Sequence, residues 1–374
     1  MAKKTAKAAV LDKPKGTITI QEFEVPKPAP GTFILRTALA GVCGTDAHMT
    51  TGSLGGISYP IILGHEFCGY IDQLGQGITE DTLGNPVKEG DLVVIAPGVT
   101  CGHCYFCAIA KTPTRCSNTL AYGFAGVDSY TLTGGWAQYV YVQFPNTKFL
   151  KTNLPPNIAV LGEPLSIAAH AFNKARPKLG NVAVIQGSGA VGFGCLLFAQ
   201  KMGAHKVIVI GGPKERLELA KECGADVVID IEEYPKAEDR IRLVKEETIK
   251  GRGADIVFEC AGFPAAIPEG LAMMRESGDF VELGMFTDRG TVPINAHTDL
   301  MLKNANFYSC WGGEIEHLVQ ILPFMEKRMW PLEKLVDPIL PLSRTQEAVD
   351  AVIKKGWRLE GKKTIFKSAI DPWA

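Results

Sequence analysis

Net charge and long apolar runs are the two things this 374-residue chain has almost none of. Lysine plus arginine (39) cancels aspartate plus glutamate (40) to within one charge. No summed field then draws the protein to nucleic acid or to anionic lipid, and a small neutral or modestly charged ligand fits better. The nearest approach to a membrane span, "NVAVIQGSGAVGFGCLLFAQ", is broken by Gln186, Ser188 and four glycines, which suits a buried strand, a tight turn and a helix. The opening "MAKKTAKAAVLDKPKG" has lysines but no apolar stretch that would serve as a secretory signal, so a reducing, cytoplasmic location is expected. The ten cysteines are accordingly not paired off as disulfides. No internal repeat or low-complexity tract interrupts the chain.

What is present is an apolar content of 46%, ample for more than one core, in a chain whose length calls for about two domains. From about Lys7 to Leu154, short β-branched runs such as "TFILRTAL", "DLVVIAP" and "AQYVYV" alternate with glycine and proline, the pattern of irregular β structure joined by turns. From Asn181 the runs "VAVIQ", "KVIVIG", "DVVID", "ADIVFEC", "DFVELGM" and "NFYSCWGG" alternate with amphipathic stretches, among them "AVGFGCLLFAQKM", "KERLELAKEC", "AEDRIRLVKEETI" and "AAIPEGLAMMRE". That alternation predicts an α/β domain with a parallel sheet covered on both faces. After Gly313 follow a helix-like "EIEHLVQILPFMEKRM", a proline-bearing "LVDPILPL", another helix and a closing strand "KKTIFK". Roughly sixty residues make a small core, so this part is expected to rejoin the first domain. The expected division is 1–157, with a cysteine lobe at about 98–118, then 158–312, then 313–374 as the return.

Directly after "VAVIQ" stands "GSGAVG", with Gly187, Gly189 and Gly192 spaced G-x-G-x-x-G and Ala190 and Val191 opening a helix. The first glycine permits a tight turn, the second lets backbone approach a pyrophosphate, and the third lets helix and strand pack closely. The alternative is a merely glycine-rich buried turn; the surrounding strand–helix alternation favours dinucleotide binding. The carboxylate that would accept the adenosine ribose at the end of the next strand is missing, since "VIVIGGPKERL" ends in Gly211 and Gly212. A 2′-phosphate would meet no repulsion there, and Lys214 or Arg216 could pair with it, unless both are simply a solvated helical turn. NAD and NADP both stay open.

"CGHCYFCAIAKTPTRC" places Cys101, Cys104, Cys107 and Cys116 as C-x2-C-x2-C-x8-C. Thiolates this close can converge tetrahedrally on one zinc in a closed structural site, and close neighbours do not easily form two unstrained disulfides. A disulfide pair or an iron–sulfur cluster is the alternative. A second set is dispersed: Cys43 in "GVCGTDAH", His65 and Glu66 in "GHEF", and Glu163 in "GEPLS". Each alone reads as core or surface, but a thiolate, an imidazole and a carboxylate together suit zinc and leave a fourth position for water or substrate.

The segments "GVCGTDAH", "GHEFCG", the cysteine lobe, "GGWAQY", "GEPLS" and "GSGAVG" resemble the zinc-dependent medium-chain alcohol dehydrogenase family across essentially the whole chain. The resemblance implies a GroES-like first domain, a Rossmann second domain and an active site in the cleft between them. It also implies two zinc ions per chain, one catalytic and one structural, NAD or NADP, and a homodimer or homotetramer. Glu163, where the alcohol dehydrogenases proper have a second cysteine, looks like the polyol, threonine and butanediol dehydrogenase branches. By the same resemblance Cys43 and His65 bind the catalytic zinc, while Glu66 and Glu163 either bind it or hold its water. Thr45 would receive the alcohol proton, His48 would relay it, and Asp46 would orient the zinc-bound imidazole. The last gap of the lobe is one residue longer than the commonest family spacing.

Without the family pattern, Thr45 reads as a turn cap, Asp46 as an N-cap and His48 as exposed. Leu54, Tyr59, Tyr122 and Trp136 are candidates to line the substrate cleft. The expected activity is reversible oxidation of a secondary alcohol or polyol; a double-bond reductase of the same fold and a non-enzymatic zinc- and nucleotide-binding protein are the rivals. Gly211→Asp is expected to shift preference toward NAD.

Overall fold

The computed structural model describes residues 3–354, 359 and 364–374. The chain divides into two compact units, Met1–Glu163 with Gly313–Ala374, and Pro164–Gly312.

The first unit opens with strands β1 (Thr5–Leu11), β2 (Ile18–Glu24) and β3 (Phe33–Gly41), followed by helix α1 (Gly44–Thr51). Then come β4 (Ile61–Ile62), β5 (Phe67–Leu74), β6 (Leu92–Ala96), β7 (Gly98–Val99), β8 (Leu120–Ala121), β9 (Tyr139–Val142) and β10 (Lys148–Lys151), helix α2 (Pro156–Ala159), and helix α3 (Gly162–Ala175), which starts in the first unit and continues into the second. The second unit carries β11 (Val182–Gln186), α4 (Ala190–Lys201), β12 (Lys206–Gly211), α5 (Lys214–Glu222), β13 (Val227–Asp230) and α6 (Ala237–Glu246). It continues through β14 (Ala254–Glu259), α7 (Ala266–Met273), β15 (Met274–Glu282) and β16 (Asn306–Ser309). The return to the first unit supplies α8 (Ile315–Glu326), β17 (Val336–Pro341), α9 (Thr345–Ile353) and β18 (Lys367–Asp371).

The second unit has the expected parallel sheet, in the order β13-β12-β11-β14-β15-β16. Strands such as "VAVIQ" and "ADIVFE" are buried almost throughout and mostly apolar, as strands with both faces covered are. The order reverses between β11 and β14, the crevice where doubly wound sheets take their ligands. In the first unit the larger sheet runs β10-β6-β5-β3-β18-β17, with β9 also paired to β3, and the smaller runs β2-β1-β4. Its core gathers Val10, Leu35, Ile62, Phe67 and Trp136 from the early strands together with Val349 of α9 and Ile370 of β18.

Two local expectations are corrected, and a segment for which the sequence alone suggests no element proves to be a strand. "AAIPEGLAMMRE" is not helical throughout: α7 stops at Met273, where the Lys303 ammonium takes the carbonyls of Leu271 and Met274, and Met274–Glu276 start β15. The closing strand is not "KKTIFK" but Lys367–Asp371; Lys362 and Lys363 lie outside the described residues. Its small apolar pair Ala369 and Ile370 fits between β17 on one side and Gly41 and Ala40 of β3 on the other. "LVDPILPL" yields β17, an edge strand, where a proline removes no ladder bond.

Candidate functional site

The C-terminal end of β3 is the hub of the site. Its neighbours in the sheet are β5 and β18, so the residues just before β5 and at the start of β18 meet those just after β3. Ala40 pairs with Phe67, and Gly41 N donates to Glu66 O at 2.6 Å. A side chain at Gly41 would have no room, since its Cβ would lie 2.1 Å from Glu66 Oε2. Cys43 is the N-cap of α1, and Asp46, the third residue of that helix, accepts the Cys43 N–H at 2.8 Å. Asp46 is therefore not the N-cap that the isolated motif suggested; it closes the capping box from inside the helix. The thiol of Cys43, a ring nitrogen of His65 and a carboxylate oxygen of Glu66 all lie within 4.8 Å of one another.

Around this trio the field is negative. Asp46 Oδ1, fully buried, accepts from Gly64 N at 3.3 Å and stands 3.5 Å from His65 Nδ1. Burial alone would lower the His65 pKa, but Asp46 first and Cys43 after it outweigh burial and hold it well above the usual histidine value. Lys367 Nζ, buried, donates to Glu66 Oε1 at 2.5 Å and pairs ionically with Oε2. Burial of this lysine is more than offset by Glu66, with Cys43 and Glu163 adding, so its pKa is raised. Glu163 lies outside the trio but within its field. Burial pushes its carboxyl up to about 7, against the pull of His65 and with a further push from Glu66.

A thiol, an imidazole and carboxylates gathered without a matching number of cations form a donor set that a divalent, borderline-soft ion would neutralise. His65 Nδ1 is buried and makes no hydrogen bond of good geometry, facing Asp46 as a ring nitrogen does when the other binds a metal. Zinc fits these residues on chemistry alone. The sequence gives no sign of a role for Lys367, which reads there only as the last residue of the closing strand "KKTIFK"; its place beside β3 reveals it.

The cysteine lobe fits zinc on distance as well. Cys104 Sγ is 3.5 Å from Cys107 Sγ and 3.8 Å from Cys116 Sγ, and Cys116 Sγ is 3.6 Å from Cys101 Sγ. A tetrahedron with Zn–S bonds of about 2.3 Å has edges of about 3.8 Å, whereas a disulfide needs about 2.05 Å. All ten cysteines are free thiols. Backbone N–H groups of Cys101, Cys104 and Asn118 point at the sulfurs at 3.3–3.4 Å. The N–H of His103 first, with others, draws Cys101 down to about 5, while burial and its neighbours push Cys107 up to about 12. Four thiols so placed ionise together only around a cation. The extra residue before Cys116 is absorbed by a turn of 3-10 helix at Pro113–Arg115.

The glycine loop has geometry compatible with its spacing at each of the three glycines. Gly187 has φ +114°, and a Cβ there would sit 2.9 Å from Ala261 N and Cys260 C. At Gly192 a Cβ would lie 1.9 Å from Gly187 O, which is the close helix–strand contact. Around Gly189, the N-cap of α4, the space is open, a hollow at a helix N-terminus into which a phosphate can approach backbone. Ala190 and Val191 form the first turn of that helix. Gly211 is explained by packing: its Cβ would meet Ser188 Oγ at 2.6 Å, so Gly211→Asp cannot report cofactor preference cleanly. Lys214 is exposed, but Arg216 is buried and drawn down to about 10 by that burial, so it is not part of a solvated helical turn.

Of the other expected residues, Thr45 Oγ1 lies 3.5 Å from Cys43 Sγ, and His48 Nδ1 is 2.8 Å from Ser53 Oγ, with the His48 side chain half-buried rather than exposed. Leu54 and Tyr59 are partly buried against the core. Tyr122 and Trp136 do not line a cleft. Both are fully buried, Tyr122 bonded to Thr147 and Phe144 N, and Trp136 donating Nε1–H to Gly41 O at 3.2 Å.

Residues 29–153 match the family described as alcohol dehydrogenase GroES-like domain, and residues 190–327 that described as zinc-binding dehydrogenase. The chain is 32% identical over 343 residues to a 5-exo-hydroxycamphor dehydrogenase of Pseudomonas putida, covering 89% of this chain and 92% of that relative. It is 31% identical over 336 residues to an L-threonine 3-dehydrogenase of Pyrococcus furiosus, covering 89% and 90%. Among solved structures, an alcohol dehydrogenase from Thermotoga maritima superposes with a TM-score of 0.90 at 31% identity, over 98% of this chain and 99% of that one.

Proposed function

The chain belongs to the zinc-dependent medium-chain alcohol dehydrogenase family, an oxidoreductase family using zinc and NAD(P), and from that premise we propose that it reversibly oxidises a secondary alcohol or polyol to the carbonyl compound. The observation that carries this reading is the convergence of Cys43 with the adjacent pair His65 and Glu66 of another segment within 4.8 Å. A double-bond reductase of the same fold needs no such set. Hydroxycamphor and threonine, named for the two relatives, are both secondary alcohols, which supports that substrate class.

We assign Cys43, His65 and Glu163 to the catalytic zinc, because Glu66 already has Lys367 as its cation. Cys101, Cys104, Cys107 and Cys116 hold the structural one. When bound, the zinc supplies Lewis-acid polarisation of the alcohol oxygen and the dinucleotide supplies the hydride acceptor. The Thr45 hydroxyl, beside Cys43, would take the substrate hydroxyl proton while passing its own onward, and His48 would hand a proton to solvent at the end of that relay. Asp46 fixes the ring of His65 and at the same time starts α1, so the helix bearing Thr45 and His48 and the imidazole are set by one carboxylate. Gly187, Gly189 and Gly192 cradle the pyrophosphate, with the exposed Lys214 available to a 2′-phosphate.

We take the catalytic domain to be the unit that contains these ligands, Met1–Glu163 with Gly313–Ala374, so that Glu163 falls just beyond the boundary of 157 expected from sequence, and the nucleotide domain to be the other unit. We place the protein in the cytoplasm, since ten free thiols suit a reducing compartment. We propose a homodimer or homotetramer. β16 is an edge strand with exposed Phe307, a surface that pairing with a second copy would cover. Among the described residues no helix is long and apolar enough to cross a membrane.

The test is a dehydrogenase assay over secondary alcohols, polyols and hydroxy amino acids with both cofactors, alongside zinc content. Two zinc ions per chain and turnover on a secondary alcohol are expected; one zinc with no oxidation of any alcohol overturns the reading.

A further inference from the structure

Two glutamates the mechanism does not use end adjacent strands of the nucleotide unit. Glu259 closes β14, Glu282 closes β15, and the strands run parallel with these two residues in register. One oxygen of each is spoken for: Glu259 Oε1 accepts from Ala261 N and Gly262 N, both at 2.8 Å, and Glu282 Oε1 accepts from Met285 N at 2.7 Å. The other oxygen of each, Oε2, is buried with no hydrogen-bond partner. Two carboxylates side by side, each with an unanswered buried oxygen, are satisfied if a single proton lies between them.

Among the described residues no cation is bonded to either Oε2: the Arg289 guanidinium, which reaches the 260–262 turn, is given to Gly262 O. Cys260 at the end of β14 and Cys195 on α4 have their sulfurs 3.8 Å apart, and burial pushes Cys310, after β16, up to about 11. Lys174 on α3 also faces this thiol cluster, and its ammonium is given to Ser309 O at 2.6 Å. Burial, followed by the charge of Glu282, pushes Glu259 up to about 8, and burial also raises Glu282.

The pair reaches the cofactor loop through backbone. Glu259 shapes the turn 260–262 by taking its amides. That turn interlocks with the next, since a Cβ at Gly284 would lie 2.4 Å from Gly262 N and 2.3 Å from Glu259 Oε2. On its other side it abuts Gly187, whose Cβ would be 2.9 Å from both Cys260 C and Ala261 N. We propose that Glu259 and Glu282 share one proton and act as a positioning pair, holding the 260–262 turn against Gly187 so that the glycine loop keeps the shape that binds the dinucleotide. This rests on the reading of Gly187–Gly192 as the NAD(P) loop. When the proton leaves to solvent, two adjacent anions repel, the strand ends loosen and dinucleotide binding weakens. The sign follows: a raised carboxyl contributes to the folded arrangement fully below the ordinary glutamate range, and the contribution is lost as pH rises through about 8.

The test uses the zinc-loaded full chain and the variants Glu259→Gln and Glu282→Gln. A glutamine keeps the oxygen that backbone amides require and offers its partner an N–H that does not titrate, so each variant should fold. Infrared spectra of the wild type should show a buried carboxylic acid carbonyl band at pH 7 that vanishes at alkaline pH; neither variant should show it. The Kd for NAD or NADP, by fluorescence titration, should weaken about tenfold across that transition, about one pK unit of coupling, in the wild type, and about twofold or less in either variant. No acid band at pH 7, or the same pH slope in all three proteins, overturns the proposal. The band behaving as described with no dinucleotide bound by any of the three overturns the cofactor reading, and with it the positioning role, while leaving the shared proton.

Discussion

The two clusters of metal-ligating side chains are built on opposite plans. The cysteine lobe draws all four thiols from one stretch of sixteen residues, has no buried side chain in its π-turn at Tyr105–Ile109, and leaves Tyr105 and Ile109 exposed. It has sulfur and little else to hold it. The Cys43 cluster collects its members from the ends of three neighbouring strands and a helix, buries His65, Glu66 and Asp46, and contains its own cation in Lys367. A loop without a core depends on its metal for shape, whereas a site inside a β core has its shape fixed and offers the metal a mould. The first is a fastening and the second a tool.

That contrast can be broken most forcefully at Cys43. Cys43→Ser should cut turnover about a thousandfold or more, several kcal/mol of lost transition-state stabilisation, with the melting temperature little changed and one zinc retained by metal analysis. Cys107→Ser should do the reverse: limited proteolysis within about 98–118 should rise sharply, while residual turnover stays well above that of Cys43→Ser. Equal loss of activity in the two would erase the distinction. Lys367→Met strands the buried Glu66 charge and should cost about 3–5 kcal/mol in thermal or denaturant unfolding. Adding Glu66→Gln should return most of it. Asp46→Asn should weaken the catalytic zinc by about 10–100-fold in chelator competition, without changing the lobe's zinc. Smallest is Lys214→Ala, expected to raise KM for NADP by about tenfold or less and to leave NAD unchanged, measured by steady-state kinetics.

The same contrast explains what could be read from sequence. The glycine loop and the lobe are local, so spacing displays them: Gly192 is glycine because Gly187 O lies against it, and the four cysteines are close in space because they are close in the chain. The alternation of the second unit is equally legible, since β11, β12 and β14 carry short apolar runs with amphipathic stretches between them. The Cys43 cluster was visible only as fragments until a family resemblance joined them, because strand order, not spacing, brings Gly41, Glu66 and Lys367 together. Lys367 stands at the end of "KKTIFK", where nothing in the spacing marks it as the partner of Glu66. Tyr122 and Trp136 were misjudged for a related reason: loop position says nothing of burial, and both point into the core. At Gly211 the missing carboxylate is not by itself a sign of cofactor preference, because contact with Ser188 already favours glycine there.

The pairing of Glu66 with Lys367 also puts a clock on assembly. The carboxylate and the ammonium are 301 residues apart in the chain. At ribosomal rates of about 5–20 residues per second, Glu66 waits about 15–60 s for the lysine that will neutralise it. During that interval Cys43, His65 and Glu66 already exist with the strand β18 missing from beside β3. The nascent first unit is then a half-walled pocket with surplus negative charge, and any cation that settles in it must be one the finished wall can enclose or expel.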